Sequence, residues 1–416
     1  MRGRRNDNNF ANFAVVDIGS SKVAAAIIAA GPGSDPATRL RVAGFGLQRS
    51  RGVKAGVLIN LDDAEGVVRA AIAQAEDAAG MTVEGVTMSV SCGRLGSQHF
   101  TARAETSNGT VTQGDLDRLI NGGFAYAERD GRALLHMNRL AYEVDGFPGM
   151  SMPLGLVARR IGLSLHAVSV DEGPLRNQLA LIQRCNLNCD GMVATPYASV
   201  LAATSEEERQ LGVTCIDLGA GTTSIALFGD GRFIGTDVIP VGAQNITYDI
   251  AKALHTPRSD AERIKTLYGT LVPAQSDDHE LIQFALAGED DGAVSQTTRA
   301  KLAEIIRPRM AQIFDLVRAR LAQNPAAEAA GDTVVLTGGG SLLSGLAEFA
   351  VRELGRPVRL GKPPAIAGIG ASLHGPQLAT LVGLAMGIGN ADQSLVPRVR
   401  ESGYLDRVGT WFGRRI

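Results

Sequence analysis

Cysteine is scarce in this chain. Its 416 residues hold four, Cys92, Cys185, Cys189 and Cys215, too few for a disulfide framework and expected of a reducing cytosol. Cys185-x3-Cys189 has no second ligand pair nearby, so no structural zinc is expected. Net charge is nearly absent as well. Forty-one Lys and Arg stand against 43 Asp and Glu, a balance of −2, which removes any global electrostatic case for nucleic acid as a partner. Long apolar runs are missing too. No charged residue falls between Pro363 and Ala391, but Pro363, Pro364, His374 and Pro376 interrupt that stretch. Its uninterrupted part, about 13 residues at Gln377–Gly389, is short of the ~20 that a membrane span needs and is expected as a buried core helix. The opening MRGRRNDNNF lacks the apolar core of a signal peptide; residues 1–12 are expected as a disordered basic tail. Neither GxxxxGK[ST] nor GxGxxG occurs.

Glycine, by contrast, is abundant, with 50 residues or about 12% against a usual ~7%. The glycines cluster after apolar runs, where backbone must approach something closely. Hydrophobic residues at 45% suffice for packed cores, and the length suggests two to four domains. Phe13–Asp17, Lys22–Ala29 and Leu40–Gly46 read as strands. Asp62–Ala79 reads as a helix with an Asp62/Glu65 capping box and Gly80 as its stop. The same opening recurs 200 residues later: FAVVDIGSSKVAAAII from Phe13 matches VTCIDLGAGTTSIALF from Val213, with Asp17 on Asp217 and Gly19 on Gly219. Arg232–Val238 supplies the third strand. The order strand, Asp, Gly, turn, strand is kept as a unit, so two related α/β domains facing one another are expected.

Each copy carries an insert. Val86–Val170 alternates strand-like runs with a helix at Asp115–Glu128. In the second copy, Ile246–Leu254 and Asp260–Leu267 read as helices, 270–298 as irregular, and Thr298–Gln323 as a long amphipathic helix. The expected organisation is 13–85 with 170–205 as the first core, 86–169 as its insert, 206–245 with 330–390 as the second core, whose last helix could return to the first, and 246–329 as its insert. A linker, 391–403, precedes a last segment, 404–416.

The two turns carry the chemistry. In Asp17-Ile18-Gly19-Ser20-Ser21-Lys22, consecutive backbone N–H groups and small residues suit a phosphate, and Lys22 adds a positive charge. Asp17 could hold the hydration shell of Mg²⁺; a plain hairpin with Asp as a local cap is the alternative. Asp217-Leu218-Gly219-Ala220-Gly221-Thr222-Thr223 is a second such turn with its own Asp. A third cluster, Gly338-Gly339-Gly340-Ser341, follows a strand and would let a flat group lie against backbone. Ser259-x-x-Glu262 fits a capping box.

On these three clusters, together with Thr256–Lys265, Leu302–Arg309 (LAEIIRPR) and an amphipathic C-terminal tail, the sequence resembles the actin-like ATPase superfamily, and within it the FtsA family of bacterial cell-division proteins. The resemblance covers residues 13–416. It implies duplicated actin-like (ribonuclease H-like) domains around an ATP–Mg cleft. Gly19, Ser20, Ser21, Lys22, Gly219, Ala220, Gly221, Thr222, Thr223 and Gly242 would lie at phosphate. Glu262, Lys265, Gly338, Gly339, Gly340 and Ser341 would lie at adenosine, and Asp17 and Asp217 would hold Mg²⁺ through water. Polymerising relatives position the attacking water with a Gln or Glu in the segment that here reads Ala194–Ser199, with neither. Asp217 is left as the only obvious base, and turnover is expected to be slow. The resemblance further implies a scaffold on the inner face of the cytoplasmic membrane at the division site. It would form filaments with itself, bind the acidic tail of FtsZ through Arg299, Lys301 and Arg309, and recruit later division proteins. Those three cations could equally form a solvated helix face. The alternatives are another actin-like assembly ATPase, of pilus or rod-shape type, or a small-molecule kinase of the superfamily, although no acceptor-site Asp stands out.

In the last segment, Tyr404, Leu405, Val408, Trp411, Phe412 and Ile416 fall within a helical arc of roughly 140°, with Arg407, Arg414 and Arg415 beside it. The chain's single Trp lies here. This is expected to be a membrane-targeting amphipathic helix that takes anionic lipid; a docked C-terminal helix is the alternative.

Overall fold

The computed structural model describes residues 11–31, 36–128, 131–288, 294–370 and 374–388. The expected basic tail, linker and membrane-targeting helix, with Leu405, Val408, Trp411, Phe412, Arg414, Arg415 and Ile416, lie outside the described residues.

The chain opens with β1 (Ala11–Ile18), β2 (Lys22–Ala30), α1 (Pro36–Arg39) and β3 (Leu40–Arg49). A small flap, β4 (Val53–Lys54) and β5 (Val57–Leu58), leads to α2 (Leu61–Ala79) and β6 (Gly85–Val90). An inserted layer follows: β7 (Gly96–Glu105), α3 (Gln113–Ala127), β8 (Arg132–Val144), β9 (Phe147–Met150) and β10 (Arg160–Asp171). The chain returns through α4 (Glu172–Arg184) to β11 (Asn188–Ala194), then α5 (Thr195–Ala203) and α6 (Glu206–Leu211). The second unit holds β12 (Val213–Leu218), β13 (Thr223–Gly229), β14 (Arg232–Ile239), α7 (Ala243–Leu254) and α8 (Arg258–Tyr268). It continues with the hairpin β15 (Leu281–Ala285)–β16 (Val294–Thr298), then α9 (Arg299–Gln323), β17 (Val334–Thr337), α10 (Leu346–Leu354), β18 (Val358–Leu360) and α11 (Ala379–Gly387).

The repeat seen in the sequence is a repeat of topology. The first sheet runs β11-β6-β1-β2-β3, and the second begins β18-β17-β12-β13-β14. In each, an antiparallel hairpin carries the glycine-rich turn, with Ile18 opposite Val23 and Leu218 opposite Thr223. In each, the hairpin's first strand also pairs in parallel with the strand after the helical connection, β6 or β17. Strand ends therefore deliver both turns to the same kind of edge, where open α/β sheets hold ligands.

Gly85–Val90, expected to open the insert, belongs to the first core sheet as the parallel neighbour of β1 and β11. The inserted layer starts beyond it. Its strands β7, β10, β8 and β9 continue the second sheet through one rung, Asp237 opposite Gly96. Helix α2 is capped by Asn60, whose side chain accepts from the backbone of Asp62 and Asp63, rather than by an Asp62/Glu65 box. Gly80 closes it in the left-handed region as expected. The stretch 270–298 is less irregular than its polarity suggests, because it contains the β15–β16 hairpin. Helix α11 is buried from Ala379 to Ala385 and packs on the β1–β2 face with Val15, Ala24 and Ile28. Among the described residues no helix is long and apolar enough to cross a membrane.

Candidate functional site

A cleft of about 700 Å³ lies between the two sheets. Its walls bring together residues scattered over the chain: Gly19–Lys22 from the β1–β2 turn, Gly219–Thr222 from the β12–β13 turn, Gly338–Gly340 after β17, and Glu262 and Lys265 from α8. Both turn carboxylates, Asp17 and Asp217, are buried at its base.

Each carboxylate is held by hydroxyls. Ser89 on β6 donates to Asp17 Oδ1 at 2.7 Å. Ser199 on α5 donates to Asp217 Oδ2 at 2.5 Å, and Thr380 on α11 donates to the same oxygen at 3.4 Å. Burial pushes the Asp217 carboxyl above its ordinary range. The Ser199 hydrogen bond opposes that shift, and the facing Asp17 charge adds to it. A cation between the two would reverse the shift. The donor set is two hard oxygen ligands, and among the described residues no group of three or more His, Cys, Asp or Glu converges. That fits Mg²⁺, which keeps most of its waters and leans on phosphate oxygens, better than a fully protein-liganded metal.

The third glycine cluster is shaped by this carboxylate. Gly338 has φ +82°, and a side chain there would run into Asp217 Oδ1 and the Leu218 carbonyl. Only glycine both accepts that backbone and leaves the carboxylate its room.

At the other end of the cleft, Glu262 and Lys265 form a network with Thr247 on α7. Lys265 Nζ donates to Glu262 Oε2 at 2.7 Å and to Thr247 Oγ1 at 2.9 Å, and Thr247 Oγ1 donates to the same carboxylate at 2.5 Å. Burial alone would raise the Glu262 carboxyl. The Lys265 charge and these two hydrogen bonds outweigh it, so the group sits below its ordinary range and stays ionised. The capping-box alternative fails. Helix α8 starts at Arg258 after Pro257 with no side-chain cap, so Ser259 lies inside it.

Three expected ligand residues sit behind the wall rather than in it. Thr223 is fully buried and its hydroxyl donates to the Val241 carbonyl; that of Ser341 donates to the Gly338 carbonyl. Gly242 donates to Asn245 Oδ1, while its successors Ala243 and Gln244 donate to the Gly219 and Ala220 carbonyls. These residues shape the turns. Thr223 lies inside because it is the first residue of β13, a strand buried along its whole length.

The expected partner cations are largely committed within the chain. Arg309 grips Asp249 in a two-pronged pair, Nε to Oδ2 at 2.6 Å and Nη2 to Oδ1 at 2.9 Å. Arg299 takes the Tyr268 carbonyl and pairs with Asp277 and Glu280, and it lines the cleft. Lys301 is exposed and, among the described residues, pairs at 2.6 Å only with the exposed Glu304. Arg309 and Arg299 look like available charges in the sequence because their carboxylate partners, on α7 and in 277–280, lie off their own helix.

Sequence reasoning did not single out Ser89, Thr247, Gln377 or Thr380. No local pattern marks them: Thr247, Gln377 and Thr380 line the cleft and Ser89 holds Asp17, each from an element placed by tertiary packing.

The family model described as "Cell division protein FtsA" matches residues 214–383, and that described as "SHS2 domain inserted in FTSA" matches residues 93–169. The second span starts after β6, as the sheet pairing does. The cell division protein FtsA of Agrobacterium fabrum is 38% identical over 412 residues, covering 95% of this chain and 93% of that protein. Its counterpart from Pseudomonas aeruginosa is 32% identical over 372 residues, covering 89% and 88%. Among solved structures, the PilM-PilN type IV pilus biogenesis complex aligns with a TM-score of 0.61 at 15% identity, covering 91% of this chain and 98% of that one. MreB5 of Spiroplasma citri bound to ADP aligns with a TM-score of 0.53 at 13% identity, covering 91% and 99%. At such identities the likeness is one of fold, the duplicated actin-like ATPase fold.

Proposed function

The chain belongs to the FtsA family of cell division proteins, and from that premise we propose that it is an ATP-binding scaffold that ties FtsZ filaments to the cytoplasmic membrane. The observation that carries the nucleotide half is the convergence of two duplicated turns, their two buried carboxylates and Gly338–Gly340 on one cleft. Backbone N–H groups of both turns would hold the phosphates, with Lys22 adding charge. Asp17 and Asp217 would hold the water shell of Mg²⁺. When bound, Mg²⁺ would neutralise phosphate charge. Glu262 stays ionised beside Lys265 and would accept from sugar hydroxyls. The segment Ala194–Ser199 offers hydroxyls but no Gln or Glu, which favours slow turnover. Such a protein works by state rather than by flux, with nucleotide favouring a closed cleft and self-assembly into filaments.

The membrane half rests on residues 404–416. Their apolar arc ends in Trp411, Phe412 and Ile416 with three Arg beside it, a pattern that lies in a lipid interface and favours anionic headgroups. Two glycines, Gly409 and Gly413, weaken the free helix by ~1 kcal/mol each, so it forms on binding. A single weak anchor gains avidity when many copies lie on one surface. The tail of FtsZ, with later division proteins, is the partner proposed for the scaffold, on the surface around Lys301.

The test is co-sedimentation with vesicles containing anionic lipid. The full chain pellets, and Trp411→Glu or truncation after Gly403 stays in solution. A truncated chain that pellets equally contradicts the tether.

A further inference from the structure

Few enclosed side-chain polar atoms lack a hydrogen-bond partner among the described residues. Three of them, Ser50 Oγ, Thr195 Oγ1 and Gln377 Oε1, belong to residues that line this one cleft. An enclosed hydroxyl without a partner costs about 1–3 kcal/mol, so such atoms gathered around one cleft mark where a polar ligand belongs.

Thr195 is the most telling of the three. It is the first residue of α5. It is not spent on the helix: the N-cap is Ala194, and no side chain caps α5. Ser199 lies one turn further along the same helix face, and its hydroxyl donates to Asp217 Oδ2 at 2.5 Å. The face of α5 that carries Thr195 is therefore the face turned to the carboxylates at the base of the cleft. There the first turn, Gly19–Lys22, and the second, Gly219–Thr222, come together. A hydroxyl donor without an acceptor stands beside a place whose other donors are backbone N–H groups and Lys22.

We propose that Thr195 Oγ1 donates to the terminal phosphate of a bound nucleoside triphosphate and gives the cleft its preference for triphosphate over diphosphate. This assignment rests on reading the cleft as a nucleotide site. It goes beyond that reading by making one hydroxyl the sensor of the terminal phosphate. On this assignment a diphosphate would leave Thr195 Oγ1 without an acceptor. The triphosphate supplies the missing acceptor, and a hydrogen bond to a charged group is worth more than a neutral one. A hydroxyl in this position registers the phosphate without being a base, so recognition of ATP can persist where hydrolysis is slow.

The experiment is calorimetric titration of the full chain with ATP and with ADP, each with Mg²⁺, for the native protein, Thr195→Val and Thr195→Ser. Valine keeps the shape and removes the donor. It is expected to weaken ATP about ten- to hundredfold, the loss of one charge-assisted hydrogen bond, and ADP by less than about twofold. Serine keeps the donor and the native ATP-to-ADP ratio. Thermal melting without nucleotide serves as the folding control, and the valine variant is expected to melt at or above the native temperature, because it loses only an unpaired hydroxyl. An unchanged ATP-to-ADP ratio in Thr195→Val, or an equal loss for both nucleotides, overturns the assignment and leaves the nucleotide cleft standing. A native chain that binds neither nucleotide overturns the cleft reading itself.

Discussion

Ser20 of the first turn and Gly221 of the second meet across the cleft: a side chain on Gly221 would run into the Ser20 hydroxyl and the backbone nitrogen of Ala55. Ser20 is in turn held by the flap, accepting from the Gly56 backbone at 3.2 Å. The two halves thus touch through a glycine that leaves no spare space; on the proposed function this contact lies at the phosphate end of the cleft. Gly221→Ala is expected to wedge the turns apart and weaken Mg–ATP at least about tenfold, since positioning of phosphate donors tolerates little displacement. Its melting temperature without nucleotide should change by only a few degrees. Native affinity in this variant would show that the turns do not jointly grip the ligand.

A histidine cluster seats the inserted layer on the second sheet. His99 Nε2 donates to the Ile234 carbonyl at 2.6 Å, and His166 Nδ1 donates to the Phe233 carbonyl at 2.8 Å. His136 Nε2 accepts from the Ala194 backbone at 2.8 Å, next to Thr195. Burial pushes His136 down to about 4; burial, with His99 beside it, pushes His166 to about 3. Both groups hold fewer protons folded than unfolded, so their contribution is complete above an unfolded pKa near 6.5 and is lost as pH falls below it. Each removes about 1.4 kcal/mol per pH unit between roughly pH 6 and 4. Denaturant midpoints should therefore fall from pH 7 to pH 5, and His136→Gln should make that fall shallower. A flat profile over this range would contradict the assignment of both imidazoles as neutral and buried.

Much of this architecture is visible in the sequence because it is local. The turns at Gly19–Lys22 and Gly219–Thr222, the stop at Gly80 and the repeat itself depend on residues a few positions apart. What escaped depends on partners far away. Strand β8 hides because buried His136 and Asn138 break its hydrophobic pattern. The β15–β16 hairpin is short: β15 alternates in exposure at Leu281–Ala285 and β16, Val294–Thr298, is largely polar. Arg309 reads as a free cation until Asp249, 60 residues earlier, is placed beside it. Asp217 is visible as a motif residue, but its hydroxyl donors Ser199 and Thr380 come from two other elements.

That placement changes how a partner surface must be probed. Charge reversal at Arg309 would break its pair with Asp249 between α9 and α7, so lost binding there would mix recognition with local unfolding. Lys301 has no buried partner. Lys301→Glu is expected to weaken an acidic FtsZ tail peptide about three- to tenfold at low salt, with the difference shrinking as salt screens it, while melting stays within about a degree of native. Anisotropy titration of a labelled peptide over a salt series reads this directly. Unchanged affinity at low salt would move the surface away from the start of α9.

On the proposed function two duplicated carboxylates and two duplicated turns hold one Mg–nucleotide, and the most direct measurement is calorimetric titration of ATP into the native chain and Asp217→Asn, each with and without Mg²⁺. The amide keeps the shape and the Ser199 contact but removes the charge facing the ion. One ATP per native chain is expected, bound at least about tenfold more tightly with Mg²⁺ than without, with the metal effect reduced to about twofold or less in the variant. ATP binding that ignores Mg²⁺ in the native chain, or an Asp217→Asn protein that retains the full metal effect, would contradict it.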